Sequence, residues 1–150
     1  MAYDNPWIYN GTTFDSGDIG EYYGFIYRIT NITNGHDYVG RKYFKTIKKR
    51  PPLKGKKNKR LETIETDWKD YWGSSNRLVA DILALGKEQF TREIIHLCKS
   101  RGETNYMEAH YQFKEEVLLR EDNYNGIIQL KLGKNSVKDV KINKSVDQRH

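Results

Sequence analysis

The chain has 150 residues and a formal net charge of +6, so we expect one small domain with a single core that binds an acidic partner. Its one cysteine, Cys98, excludes an internal disulfide and a multi-cysteine zinc site, and its apolar neighbours favour burial. No apolar run is long enough to span a membrane and the N-terminus lacks a signal-peptide pattern, so we expect a cytoplasmic protein that is not inserted in a membrane.

The first 43 residues predict an arm followed by a hairpin. Residues 1–21 are rich in Gly, Asn, Asp and Ser with scattered aromatics, which predicts an irregular N-terminal arm held to the body by its aromatic side chains. Strand-like runs at 24–29 and 37–42 then flank Asn34 and Gly35, two residues that tolerate positive φ. This pattern predicts an antiparallel β-hairpin over residues 22–43.

The next segment carries most of the positive charge. Eleven of the twenty residues from Arg41 to Arg60 are Lys or Arg and none is acidic, so the rest of the chain has a net negative charge. Concentrated positive charge is typical of a surface that contacts phosphate backbones, although a solvated loop is the alternative. We predict a basic insertion over residues 41–60, with these candidates for DNA contact: Lys45, Lys48, Lys49, Arg50, Lys54, Lys56, Lys57, Lys59 and Arg60.

Two helices are predicted after the basic segment. Residues 62–71 are expected to form a short helix. Ser74 or Ser75 is expected to cap a longer helix that ends at Gly86. The apolar positions of this helix follow i, i+1, i+4, i+5 spacing: Leu78, Val79, Ile82 and Leu83.

The last third of the chain predicts a strand, a helix and a further strand. Residues 90–97 are expected to form the third strand, and Thr104 is expected to cap a helix that runs to about Leu119. Alternating apolar residues over 128–132 indicate a last strand, and residues 133–150 are expected to form a polar tail. The fold class predicted is α/β, with a small three-stranded sheet (the hairpin plus the third strand) flanked by helices.

The hairpin brings two tyrosines together. Tyr27 and Tyr38 would lie on facing strands, with Arg41 and Lys42 just beyond Tyr38. Nearby positive charge favours the ionised form of a phenol, so this combination suggests a proton-transfer site. The alternative is that the two aromatic rings simply fill a β-surface, where tyrosine is enriched.

The motifs Phe25-Ile26-Tyr27 and Tyr38-Val39-Gly40, with Asn34-Gly35 between them, resemble the signature of the GIY-YIG nuclease family. The resemblance covers roughly residues 23–125. It implies a compact α/β sandwich and a metal-dependent endonuclease that hydrolyses phosphodiester bonds. In that mechanism Tyr27 would act as general base and Tyr38 would orient the water or the phosphate.

The same resemblance implies a single catalytic carboxylate on the helix after the third strand. Glu108 matches best, and it would hold one Mg²⁺ or Mn²⁺. The family also has an asparagine late in the domain, which Asn125 matches as a supporting residue.

The catalytic arginine is where the chain departs from the family pattern. Matching the tryptophan-lysine pair that follows it to Trp68-Lys69 puts Asp67 in the arginine position and Tyr71 in the following His/Tyr position. Arg41 and Lys42 are therefore the first candidates for the cationic role, with Lys48, Arg50 and Arg60 behind them. Arginine offers bidentate phosphate contact, whereas lysine offers a compact charge.

The expected partner is nucleic acid, with double-stranded DNA favoured. The Trp72-Gly73-Ser74-Ser75 region and the short chain resemble small phage-type, homing-endonuclease-like members, which would act in the host cytoplasm. The alternative is a catalytically silent DNA- or RNA-binding module that keeps the hairpin and the basic patch. RNA binding by stacking on exposed Tyr and Arg is a third interpretation, and the sequence leaves the oligomeric state open.

Overall fold

The computed structural model of the protein describes residues 3–141. In this range seven β-strands and two α-helices form, together with short 3₁₀ turns. The strands are β1 (Ile8–Tyr9), β2 (Thr12–Thr13), β3 (Gly24–Asn31), β4 (Asp37–Tyr43), β5 (Lys45–Arg50), β6 (Arg60–Glu65) and β7 (Phe90–Cys98). The helices are α1 (Asn76–Leu85) and α2 (Arg101–Lys114).

Five strands form the main sheet, in the order β2-β1-β7-β3-β4. The predicted hairpin is present as the antiparallel pair β3–β4, and β7 pairs antiparallel with β3 on its other side. The predicted sheet of three strands was too small, because β1 adds parallel to β7 and β2 pairs with β1. Residues 1–21 were expected to be irregular, but they contribute these two short strands to the sheet.

Three other predicted elements differ in the structure. Residues 60–65 form strand β6 rather than the start of a helix, and only a 3₁₀ turn at Trp68–Asp70 follows. Helix α2 is capped by Ser100, whose side chain accepts a hydrogen bond from Glu103 N, and it ends at Lys114 rather than near Leu119. Residues 128–132 form no strand because they pair with no neighbour, and residues 142–150 of the predicted tail lie outside the described range.

The main sheet has a core on each face. One face packs against α1 and the N-terminal segment, with Trp7, Phe25, Phe44, Trp68 and Leu78 fully buried. The other face packs against α2 and the segment after it, around Ile26, Val39, Cys98 and Val117. The expected burial of Cys98 is confirmed. No helix within residues 3–141 combines the length and the apolar character needed to cross a membrane.

Strands β5 and β6 form a separate two-stranded ribbon, which we call the basic ribbon, with loop 51–59 at its tip. Contacts at the start of β5 and at the end of β6 hold the base of the ribbon against the rest of the domain. Phe44, between β4 and β5, is buried in the aromatic core, and Thr66 N donates to its carbonyl (2.8 Å). Glu65 accepts hydrogen bonds from Trp68 Nε1 and Ser16 Oγ, both at 2.8 Å. The orientation of the basic ribbon relative to the sheet is therefore set by packing and hydrogen bonds.

The outer edge of β4 is covered along its first half by residues 122–125. Asn125 satisfies both backbone groups of Val39: its Oδ1 accepts from Val39 N (2.9 Å) and its Nδ2 donates to Val39 O (2.8 Å). Gln112 Nε2 donates to the same carbonyl at 3.0 Å. Asn125 thus behaves like a short piece of strand, because buried peptide groups need partners.

Asn125→Ala should lower the free energy of unfolding by about 2 kcal/mol, because it leaves the buried N–H of Val39 without a partner. Urea unfolding checks this, with a lower midpoint at an unchanged slope. Asn58→Ala, at an exposed position in loop 51–59, is the control and should leave the midpoint unchanged. Equal midpoints for the two variants would contradict the role given to Asn125.

Candidate active site

A cavity of about 630 Å³ lies beside the second half of β4, between the sheet, the base of the basic ribbon and α2. All five residues that the sequence singled out as catalytic line it: Tyr27, Tyr38, Arg41, Lys42 and Glu108. Tyr71 and Lys45 line it as well. Asn125 does not line the cavity and instead contacts the backbone of β4 at Val39. The remaining DNA-contact candidates lie along the basic ribbon and its loop.

Tyr27 reaches the cavity because Gly40 stands opposite it in the β3–β4 register. A Cβ at Gly40 would lie 2.6 Å from Tyr27 Oη and 2.8 Å from the ring of Tyr38. Only glycine allows a ring to lie this close across the neighbouring backbone. A register shift in the β3–β7 pairing, between Ile26 and Tyr27, also occurs at this point, and such bulges re-aim side chains.

Three phenol rings meet at this position. The ring centroids of Tyr27 and Tyr38 are 6.1 Å apart, and Tyr71 packs edge-on against Tyr27 with centroids 5.9 Å apart. Tyr38 Oη lies 3.2 Å from Ser74 Oγ, within hydrogen-bond distance. The Tyr27 side chain is buried, whereas Tyr38 is partly exposed to the cavity.

Burial controls the protonation of these phenols. It raises the pKa of Tyr27 well above the ordinary value of 10.0, and the neighbouring phenols Tyr71 and Tyr38 raise that pKa further. Burial also raises the pKa of Tyr38, against a lowering by its hydrogen bond with Ser74. The Arg41 charge lowers the pKa of Tyr38, as expected, but burial outweighs it, so the pKa of each phenol is raised and both keep their protons at neutral pH in the protein alone.

Glu108 is held at the cavity by its place on α2. Thr104, Glu108 and Gln112 are spaced four residues apart and share the helix face that points to the sheet. Arg41 Nη1 donates to Glu108 Oε1 at 2.7 Å. Burial raises the pKa of the Glu108 carboxyl above 4.5, and the Arg41 charge partly opposes this. The result is a largely buried carboxylate that carries one cationic partner.

Lys42 occupies the other side of the cavity, on the same sheet face as Tyr27 and Tyr38. Its Nζ donates to Asp67 Oδ1 at 2.7 Å and lies 4.2 Å from the centre of the Tyr71 ring. This hydrogen bond lowers the pKa of Asp67. If Trp68-Lys69 matches the family's tryptophan-lysine pair, Asp67 takes the arginine position, and the Lys42 ammonium lies next to it; an insertion that shifts this register is the alternative.

Sequence reasoning missed two residues that support the site. Gly40 was noted only as part of a motif, and its facing position opposite Tyr27 follows from the hairpin register. Arg92 is buried between Trp7 and Trp72, with its guanidinium 4.6 and 4.3 Å from their rings, and it donates to Tyr71 O at 2.7 Å. Burial lowers the pKa of Arg92 to about 10. Its alternation with Phe90 and Ile94 was the available signal that it points inward.

The cavity offers oxygen ligands rather than a dense metal-binding cluster. Within residues 3–141 no group of three or more His, Cys, Asp or Glu side chains comes together. Besides Glu108, the acidic residues at the cavity are Glu65 and Asp67, and both are engaged by neighbouring donors. A hard divalent cation that keeps several waters and binds one or two carboxylates plus substrate phosphate fits this donor set.

Residues 7–128 match the model of a protein family described as "Putative endonuclease segE, GIY-YIG domain". The matched range contains every strand and both α-helices of the structure. No curated protein and no solved structure matches the chain.

Gly40→Ala should displace the Tyr27 ring, because the added methyl group would overlap its hydroxyl. We expect a loss of about 1–3 kcal/mol in the free energy of unfolding, which is typical of overpacking, with a changed near-UV circular dichroism spectrum. Gly17→Ala is the control, since a Cβ at Gly17 meets no atom within 4 Å and its φ is not in the left-handed region. Near-UV spectra that coincide for Gly40→Ala and the wild type would contradict this packing.

Proposed function

The chain belongs to the GIY-YIG nuclease family, and from this premise we propose that it is a metal-dependent DNA endonuclease that hydrolyses phosphodiester bonds. The observation that carries the proposal is that Tyr27, Tyr38, Arg41, Lys42 and Glu108 line one cavity. The hairpin and the helix that carry these residues are distant in sequence. Such convergence of titratable groups, among which Tyr27, Tyr38 and Glu108 have raised pKa values, is typical of a functional site.

Glu108 would hold the divalent cation, Mg²⁺ or Mn²⁺. When bound, the cation would polarise the phosphoryl group and offset charge on the leaving oxygen. The carboxyl is suited to this role because burial, which raises its pKa, makes its negative charge poorly solvated. A cation that approaches it is therefore stabilised more strongly than by a solvated carboxylate. The bond from Arg41 Nη1 fixes the position of one Glu108 oxygen.

Tyr27 would accept the proton of the attacking water. Its raised pKa makes it a strong base once it is ionised, but it also means that positive charge must approach to remove its proton at neutral pH. Tyr38, at the more exposed edge of the cavity, would orient the water or the phosphate through its hydroxyl.

Positive charge for the phosphate would come from Lys42 and Arg41. Lys42 lies on the tyrosine side of β4 and Arg41 on the Glu108 side, so the two cations flank the position expected for a phosphate. Each is neutralised by one carboxylate in the free protein, Asp67 for Lys42 and Glu108 for Arg41. Fixed charge in this arrangement stabilises developing charge on the phosphate without reorganisation of solvent.

Nicking of supercoiled plasmid tests this function. We expect cleavage with Mg²⁺ and none with EDTA, and a rate at least about 100-fold lower for Tyr27→Phe and for Glu108→Gln, which is the range that general bases contribute. Both variants should still bind the plasmid. Tyr106→Phe and Glu121→Gln, at exposed positions, are the matched controls and should cut like the wild type.

Two results would contradict the proposal. Cleavage that persists in Tyr27→Phe or Glu108→Gln would remove these residues from the chemistry. Plasmid binding by the wild type, with no cleavage of this or any other duplex in Mg²⁺ or Mn²⁺, would instead favour the silent nucleic-acid-binding module.

The pH dependence of cleavage tests the role of Tyr27 separately. Because the pKa of Tyr27 is raised, its ionised fraction increases about tenfold per pH unit through the neutral range, and the single-turnover rate should rise with it. Tyr38→Phe should be slower but keep this slope. The residual rate of Tyr27→Phe should no longer rise with pH. An unchanged slope of rate against pH in that variant would assign the proton transfer to another group.

A further inference from the structure

The basic ribbon carries two arginines whose arrangement the fold does not explain. Arg50 and Arg60 stand directly opposite each other as the last pair of the β5–β6 ladder. Like charges in a directly facing pair destabilise a two-stranded sheet. Both side chains lie at the surface, where an ion pair of Arg50 with Glu62, rather than core packing, offsets part of this repulsion.

Both guanidinium groups are held in the same way. Arg50 donates through Nε to Glu62, and Arg60 donates through Nε to the Pro51 carbonyl at 3.2 Å. Within residues 3–141 the terminal Nη groups of both arginines donate to no protein acceptor. A guanidinium fixed through Nε presents its two Nη groups as an oriented fork, and this orientation reduces the entropy lost on binding.

The two arginines lie on the face of the basic ribbon that also carries Thr46 and Ile64. Side chains alternate along β5, so Thr46 and Arg50 share a face, as do Ile64 and Arg60 on β6. Thr46 and Ile64 line the cavity, as do Lys45 and Glu65 from the other face of the ribbon, so the cavity lies at the base of the ribbon. A nucleic acid that places a phosphate in the cavity would therefore meet the base of the ribbon and continue along it towards the arginine pair at its far end.

We propose that the basic ribbon enters the major groove of duplex DNA on one side of the cut, where Arg50 and Arg60 bind guanines. This inference rests on the proposed function, because the cavity defines where the cut lies. The major groove admits a two-stranded ribbon, and a bidentate arginine on guanine O6 and N7 is the commonest specific contact there. The deep, narrow major groove of RNA helices excludes the same approach, so the duplex is DNA.

The fold also sets the distance from the cut. Arg50 is four residues from Thr46, or about 13 Å along the strand. One base pair adds about 3.4 Å, so the guanines lie about four base pairs from the scissile phosphate. Contact on one side only follows because the ribbon leaves the cavity in one direction.

A binding selection from a randomised DNA duplex library, with the full chain in EDTA, tests this without requiring cleavage. The wild type should enrich guanine, and Arg50→Ala with Arg60→Ala should lower that enrichment by about tenfold or more. Lys49→Ala is the control, since it removes one charge next to Arg50 on the opposite face of the ribbon. It should weaken binding to all sequences alike and keep the guanine preference.

Cut sites mapped on the same library in Mg²⁺ give the distance, with guanine expected about four base pairs to one side. A wild type without base preference, or equal loss of preference in Lys49→Ala and the arginine variant, would overturn the inference. Cleavage without guanine enrichment would leave the proposed function standing and reject groove reading by the ribbon. Guanine enrichment without cleavage would support groove reading by the ribbon and reject the proposed nuclease function.

Discussion

The close approach of the Tyr27 ring to the backbone of Gly40 determines where the cavity lies. Because residue 40 has no side chain, the phenol of one strand crosses the next and reaches the edge of the sheet. Glu108 meets it there from the opposite face, with Arg41 between the two layers. The proposed chemistry needs no loop of its own, since each of the five candidate catalytic side chains stands on a strand or a helix.

The edge of β4 serves two purposes along its length. Over its first half, residues 122–125 satisfy its backbone groups, which protects a sheet edge that would otherwise pair with another chain. The second half of β4 borders the cavity, and the chain then continues into β5. Asn125 is thus explained as a residue that fixes the strand carrying Tyr38 and Gly40, with no contact of its own to the cavity.

The sequence predicted the elements whose signals are local. The β3–β4 hairpin followed from Asn34-Gly35 and its flanking runs, and α1 followed from a serine cap at Ser74 or Ser75, which the structure assigns to Ser75, and from Gly86. Strands β1 and β2 have two residues each; β2 pairs with β1, and β1 pairs with β7. Asn10-Gly11 between them, both at positive φ, is the same Asn-Gly signal as in the β3–β4 hairpin, and sequence reasoning overlooked it. The sequence also does not show how deeply a side chain is buried. Charge spacing suggested a lowered pKa for Tyr27, but the aromatic core around it removes water and reverses the direction.

The distribution of ion pairs separates binding from chemistry. The cavity lining carries three cations and three carboxylates, and Arg41 and Lys42 each pair with one of these carboxylates, so the cavity adds little net attraction for a polyanion. The basic ribbon and its loop carry nine Lys or Arg from Lys45 to Arg60, with Glu62 and Glu65 as the acidic residues of β6. Long-range attraction of a polyanion therefore arises at the ribbon, where fields from many like charges add.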